Sequence, residues 1–314
     1  MLTMRIFVTG ATGYIGSAVT RELLTAGHDI LALARTEPAA EALTLPGVEV
    51  HRGSLEDRDS LRAGAMKADG VVHAAFASIT GGSDRAASAR AEYRAVEAIG
   101  GALKGTGKPL VVASGTLALP PGRLGTELDA ADPGSIAAAV GLEPSRMLRV
   151  RIPNELAVLG LGAHGVRSSV VRLAPTVHGE GDRKGFAATL IATARARGVS
   201  AYVGDGGNHW PAVHRLDAAR LFRLAVESAP AGSRLHAVGE EGVPFREIAE
   251  AIGRHLGLPA TSIPAAAAGD HFGYLATLVT IDNLASSDLT QQSLHWQPTH
   301  PTLTEDIAAG RYEL

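Results

Sequence analysis

Along the first half of the chain, short apolar runs alternate with longer stretches whose apolar residues recur about every three to four positions. The runs Arg5–Val8, Ile30–Ala34, Val48–His51, Gly70–His73, Leu110–Ala113 and Ser168–Leu173 read as strands. Tyr14–Ala26, Arg58–Met66, Asp84–Lys104 and roughly Ile152–Leu161 carry helical periodicity between them. Strands this continuously apolar are covered on both faces, and strands separated by helices pair in parallel. The pattern therefore predicts an α/β fold, with a doubly wound parallel sheet over residues 1–174.

Beyond Pro175 the rhythm loosens. Lys184–Arg197 and Leu216–Ser228 look helical, Arg234–Val238 reads as a strand, and Phe245–Leu256 is again helical. The remainder breaks into short helical pieces punctuated by Gly and Pro. We expect a smaller, mostly helical C-terminal lobe without its own sheet, assembled from 175–212 and 239–314. The stretch 213–238 should return to the main sheet.

Composition narrows the function classes. The 314 residues are 46% hydrophobic, enough for one large or two medium domains. The net charge of −3 comes from interspersed signs, so no nucleic-acid surface is expected. There is no cysteine, which excludes disulfides, thiolate nucleophiles and cysteine–zinc sites. Neither HxH nor HExxH occurs, and no metal is expected. The first apolar run stops at Thr9-Gly10, too short for a signal peptide, and no apolar stretch reaches the ~18 residues of a membrane span. The expectation is a cytoplasmic chain with a small-molecule partner and no membrane partner.

Chemistry enters at VTGATGYIGS, which closes the first strand and opens the first helix. Gly10, Gly13 and Gly16 give GxxGxxG spacing. Such glycines permit a sharp turn, let backbone N–H groups approach a pyrophosphate and allow close helix–strand packing, while the helix N-terminus favours the negative charge. A merely tight turn is the plain alternative. The second strand ends in LALARTE, offering Arg35 where an acidic residue would bind an adenosine ribose. A guanidinium matches a 2′-phosphate, so NADP(H) is favoured over NAD(H), with Glu37 nearby as the opposing feature.

With these residues in view, the sequence resembles the extended and atypical short-chain dehydrogenase/reductases, which include epimerases, dehydratases and carbonyl reductases. The resemblance covers essentially the whole chain and implies a Rossmann-type fold. It implies cofactor contacts from Gly10, Thr12, Gly13, Tyr14, Ile15 and Gly16. GSLED resembles the adenine-side segment, giving Ser54 and Leu55, with Ser54 replacing the usual aspartate. VVHAAF gives Ala74, Ala75 and Phe76 along the cofactor, and VVRLAPTVHGEGD gives Pro175 and Val177 around the nicotinamide. VVASGTLAL resembles the strand end whose hydroxyl polarises a substrate carbonyl, which points to Thr116, then Ser114. Either could equally be a strand-end hydroxyl bonded to backbone. Family members often form homodimers.

The family's chemistry uses Tyr-x-x-x-Lys on one helix face. The tyrosines here are at 14, 93, 202, 274 and 312; four positions after the first four stand Ala18, Glu97, Gly206 and Leu278, so no such motif exists. In the stretch MLRVRIPNE, the resemblance sets Arg151 at the lysine position and Met147 at the tyrosine position. Pro153 suggests a helix that starts near Ile152. Three roles are open to Arg151: lysine surrogate at the nicotinamide ribose, anchor for a substrate anion, or plain surface charge. His178 borders the expected nicotinamide site and is a candidate proton source, although one of 12 histidines is weak evidence. His73 reads as a packed strand residue.

In the lobe, Trp210 stands where relatives acting on nucleotide sugars usually place a diphosphate-binding arginine. His209, Trp210 and Tyr274 are candidate substrate contacts, implying a small, fairly hydrophobic substrate; Phe272 and Leu275 share a face that could be only core. Taken together, the expectation is an NADP(H)-dependent oxidoreductase. The alternatives are a non-catalytic dinucleotide-binding sensor and, third, a sugar-nucleotide epimerase or dehydratase.

Overall fold

The computed structural model describes residues 3–75, 85–130 and 146–312. The chain begins with β1 (Arg5–Thr9), α1 (Tyr14–Thr25), β2 (Asp29–Ala34), the short α2 (Glu37–Glu41), β3 (Val48–Arg52), α3 (Arg58–Lys67) and β4 (Gly70–His73). It continues through α4 (Arg85–Leu103), β5 (Pro109–Gly115), a 3-10 turn at Thr116–Ala118, β6 (Leu124–Gly125), α5 (Arg146–Gly160) and β7 (Arg167–Leu173). Then come β8 (Thr176–His178), α6 (Phe186–Arg197), β9 (Ser200–Val203), β10 (His209–His214), α7 (Arg215–Ser228) and β11 (Ser233–Ala237). The last elements are β12 (Glu240–Pro244), α8 (Phe245–Leu256), β13 (Ala260–Ile263), α9 (Ala268–Phe272), β14 (Leu284–Ala285), α10 (Asp288–Leu294) and α11 (Leu303–Ala308).

Seven strands form one parallel sheet in the order β11-β7-β5-β4-β1-β2-β3. Strand alternation sorts its side chains onto two faces. Ile6 and Val8 pack with Val19 and Leu23 of α1 and Phe222 and Val226 of α7. Phe7 and Leu31 instead meet Leu61 of α3 and Ile99 of α4. Both faces are therefore covered, as a parallel sheet requires. Strand order reverses between β1 and β4, and ligands of open α/β sheets bind at such a switch point, beyond the carboxyl ends of the strands.

A second apolar core joins α6, β10, α8, α9 and α11. Here an expectation fails: the lobe carries three-stranded β12-β10-β8 and two-stranded β13-β9, and β14 pairs with β6. Segments such as HWPAVH and EEGVP are too short and too mixed with Gly, Pro and His to show strand alternation. Their partners also lie far away in sequence.

Helix α5 corrects a second expectation. It starts at Arg146 rather than near Ile152, so Met147, Arg151 and Glu155 occupy successive turns of one helix, with Pro153 inside it. Pro153 lies on the exposed side, while Ile152, Asn154 and Glu155 are buried. Tertiary anchoring of those neighbours outweighs the backbone hydrogen bond that proline removes. Among the described residues, no helix is long and apolar enough to cross a membrane.

Candidate functional site

The glycine loop lies at the switch point. Gly10 has φ +78°, and a Cβ there would come within 2.7 Å of the Ala75 backbone, so β1 and β4 can approach only through glycine. Gly13 donates its N–H to the Gly10 carbonyl at 2.9 Å, and a Cβ on Gly16 would overlap that same carbonyl. Gly13 caps α1 without any side-chain hydrogen bond, leaving first-turn N–H groups open to an anion. Thr12 and Gly13 are exposed, and Ala74 and Ala75 are half-buried. Ile15 packs partly against the sheet core. This cradle fits a dinucleotide pyrophosphate. Phe76 lies outside the described residues.

At the end of β2, Arg35 is exposed. Glu37 accepts from Arg52 Nη2 at 2.7 and 2.6 Å, and Arg52 Nη1 reaches the Thr36 carbonyl at 3.3 Å. The parallel register places Arg52 opposite Ala34, which is why the two strand ends converge. Arg52 thus holds the carboxylate that opposed an anion site. The sequence offered a hint, because Arg52 directly precedes the glycine of GSLED. The Ser54 hydroxyl accepts from the Glu56 N–H at 3.2 Å, and Leu55 packs partly beneath the sheet.

At the end of β5 the two candidate hydroxyls are already engaged. Ser114 donates to Glu155 Oε2 at 3.0 Å. Thr116 is fully buried; its hydroxyl donates to Asn283 Oδ1 at 3.1 Å, and Asn283 Nδ2 donates back to the Thr116 carbonyl at 3.2 Å. Each hydroxyl has one proton to give. In this structure the two hydroxyls expected to polarise a substrate carbonyl donate to Glu155 and Asn283. Arg151 lies in α5, and its side chain is outside the described atoms.

Glu155 is a hub. Arg172, fully buried in β7, gives it hydrogen bonds from Nη2 at 2.5 Å and Nε at 3.2 Å, and also reaches the Asp129 carbonyl at 2.9 Å. His236 Nε2 lies 3.2 Å from Arg172 Nη1, and burial holds that imidazole below its ordinary pKa.

Where the lobe meets the sheet, Tyr14 donates its hydroxyl to the Gly179 carbonyl at 3.0 Å, with the Arg215 guanidinium 4.7 Å above its ring. Burial, reinforced by the Asp182 charge, raises the tyrosine's pKa far above its ordinary value, so it stays a neutral donor. His178 is fully buried, its Nδ1 2.7 Å from Asp306 Oδ2 and its ring edge-on to His214. His178, the candidate proton source, is thus tied to α11 and shielded from solvent. Pro175 and Val177 are half-buried, Val177 against the sheet core. The ligand atoms of His214, Asp217 and His300 lie within 4.8 Å of one another, but Asp217 is taken by N–H groups of Thr299 and His300 and by His300 Nδ1. The group clamps the C-terminal segment to α7.

Trp210 packs into the lobe core. It is fully buried, with Phe186 and Phe245 ring centroids at 5.3 and 5.2 Å, because it shares a strand face with Ala212 toward the lobe core. Phe272 and Leu275 belong to that core. Tyr274 is 43% exposed. His209 is partly exposed and pairs through Nδ1 with Asp282 Oδ1 at 2.9 Å. Nothing in the sequence flagged Asp282, Asn283 or Asp306, which act across long sequence separations.

Buried neutral histidines give the fold a pH signature. Burial lowers His73 to about 4, and His214 to about 4 mainly by burial, against an ordinary value near ~6.5. Between those values the unfolded chain binds protons that the folded chain cannot, so stability is full above ~6.5 and declines toward pH ~4. For His73 the ceiling is about 3 kcal/mol. The buried carboxyls of Asp182 and Glu240 are shifted up and work in the opposite direction. Urea midpoints at pH 7.5 and 5 should therefore fall less in His73→Asn than in the wild type. An identical fall would remove His73 from the account.

A parallel sheet with a glycine cradle at its switch point defines a dinucleotide-binding α/β protein. The sequence profile of the NAD dependent epimerase/dehydratase family matches residues 6–128. A Schizosaccharomyces pombe protein, described as uncharacterized, is 45% identical over 98% of this chain and 100% of its own length. A UDP-glucose 4-epimerase of Streptomyces lividans is 26% identical over 95% of this chain and 93% of its own. Among solved structures, the Bordetella bronchiseptica enzyme WbmG, in complex with NAD and UDP, superposes with TM-score 0.75 at 19% identity, covering 99% of this chain and 94% of that one. The chain belongs to the NAD dependent epimerase/dehydratase family.

Proposed function

We propose that the protein is an NADP(H)-dependent oxidoreductase acting on a small, hydrophobic carbonyl or carbonyl-like substrate. The observation that carries the reading is the Arg52–Glu37 pair, which removes the acidic competitor from the end of β2 and leaves Arg35 exposed for a 2′-phosphate. Gly10, Gly13 and the first turn of α1 would hold the pyrophosphate. Arg151, at the family's lysine position, would supply positive charge at the nicotinamide ribose. The reduced nicotinamide supplies hydride when bound. Two features speak against a sugar nucleotide as substrate. Trp210 is locked in the lobe core, and the Asp182 carboxylate occupies the start of α6, accepting from the N–H groups of Lys184 and Gly185 at 3.2 and 2.6 Å.

The test is NADPH oxidation, followed by absorbance, across hydrophobic ketones, aldehydes, enones and cyclic imines, with NADH as control. Arg35→Glu should weaken NADPH binding by about 10–100-fold, the worth of a charge-assisted hydrogen bond, while NADH binding changes little. Equal losses in calorimetric titrations would sink the phosphate assignment. One observation favours a second reading, a non-catalytic NADP(H) sensor: both β5 hydroxyls are committed to structural bonds. That reading expects tight NADPH binding with no turnover on the panel.

A further inference from the structure

Resting on the oxidoreductase reading, we propose that His209, oriented by Asp282, is the proton donor that stands in for the missing tyrosine. A carboxylate only accepts hydrogen bonds, so the 2.9 Å contact with Asp282 Oδ1 places a hydrogen on His209 Nδ1. The same oxygen accepts the His209 backbone N–H at 2.8 Å, which fixes ring and strand together. Nε2 is left as the working nitrogen, on a side chain 33% exposed. This is a base oriented by a third group, the arrangement acid–base catalysis uses.

Position supports the role. Trp210 and Ala212 face the lobe core while Val213 belongs to the sheet core, so alternation turns His209 away from the lobe core. The next residue after Asp282 ties this pair to the sheet. Asn283 donates its N–H to the His209 carbonyl at 2.9 Å, and its side chain grips Thr116 just beyond the carboxyl end of β5. That end of the sheet is where an α/β fold receives its ligand. Asp282 is the one charged group within ion-pair distance of His209 among the described residues.

The step balances. As the carbonyl carbon accepts hydride, its π pair moves to oxygen, and that oxygen takes the proton from Nε2 of the imidazolium. An alcohol and a neutral imidazole result, and water returns the proton to Nε2. Asp282 keeps its hydrogen bond to Nδ1 throughout and exchanges no proton with the substrate.

His209→Gln should lower kcat by ~10²–10⁴-fold on whichever substrate the wild type reduces. NADPH affinity should stay within about twofold, and added imidazole should restore part of the rate. The pH profile of kcat should lose one limb. Independently of turnover, the ¹⁵N shifts of the His209 ring should report a protonated Nδ1, a preference lost in Asp282→Asn. Wild-type rate and pH profile in His209→Gln, or an unprotonated Nδ1, would overturn the assignment while leaving the oxidoreductase reading intact. A wild type silent on every substrate would instead remove the reaction itself, and this role with it.

Discussion

Glu155→Leu should destabilise the protein by about 3–5 kcal/mol, because it strands the Arg172 guanidinium in the sheet interior. Arg172 has no exposure and Glu155 almost none, so water cannot replace the lost carboxylate. The Asp129 carbonyl and His236 would still accept from Arg172, but neither carries the compensating charge. Ser114 would lose its acceptor as well. The double variant Glu155→Leu/Arg172→Met should regain part of the loss, since it removes the buried guanidinium along with its carboxylate, leaving Ser114 without its acceptor and the partly exposed Arg234, 3.6 Å from Glu155, without that charge. Urea unfolding of the three proteins decides the matter. A single variant within about 1 kcal/mol of wild type would mean that the network contributes little, and that α5 is held by its apolar contacts alone.

Gly16→Ala should weaken cofactor binding by about one to two orders of magnitude while the rest of the sheet persists. The added methyl would overlap the Gly10 carbonyl, which itself closes the loop by accepting from Gly13. Relief requires either lifting the loop or moving α1 off β1, at about 1–3 kcal/mol of overpacking. Either movement spreads the N–H groups that would meet the pyrophosphate, and a loss of up to ~100-fold in affinity follows from ~3 kcal/mol. The control is Gly101→Ala on the exposed side of α4, where the new methyl meets nothing. That change should stabilise slightly, by helix propensity, and leave titration with NADPH unchanged. Equal binding by both variants would show that the loop tolerates a side chain.

The main sheet was legible because its strands are apolar on both faces and punctuated by regular helices. Gly70–His73 matched residue for residue, and the other six strands of the sheet to within two residues at either end. The glycine loop was legible for a related reason, since local sequence alone dictates its turn. What failed was decided at a distance. Pro153 marked a helix start by local rule, whereas Glu155 and Asn154 are anchored by Arg172 and Glu92 from other elements. Trp210 looked like a pocket residue until β10 acquired partners in β8 and β12 and turned it inward. The Thr116 hydroxyl is engaged by Asn283, 167 positions away, a partner no local pattern shows.

The core of the lobe also bears on how the chain is made. Its parts, Phe186–Ala212, Val243–Val279 and Leu303–Tyr312, are interrupted by β11, which returns to the parallel sheet beside β7. During synthesis the first five strands of that sheet can pair as they emerge, whereas α6 and β10 must wait, apolar side uncovered, for Ile307 and Tyr312. Long-range closure of this kind is slow and exposes sticky surface meanwhile. The lobe is therefore the last part to assemble, and a nascent chain halted before α11 presents a half-built core to any chaperone or protease nearby.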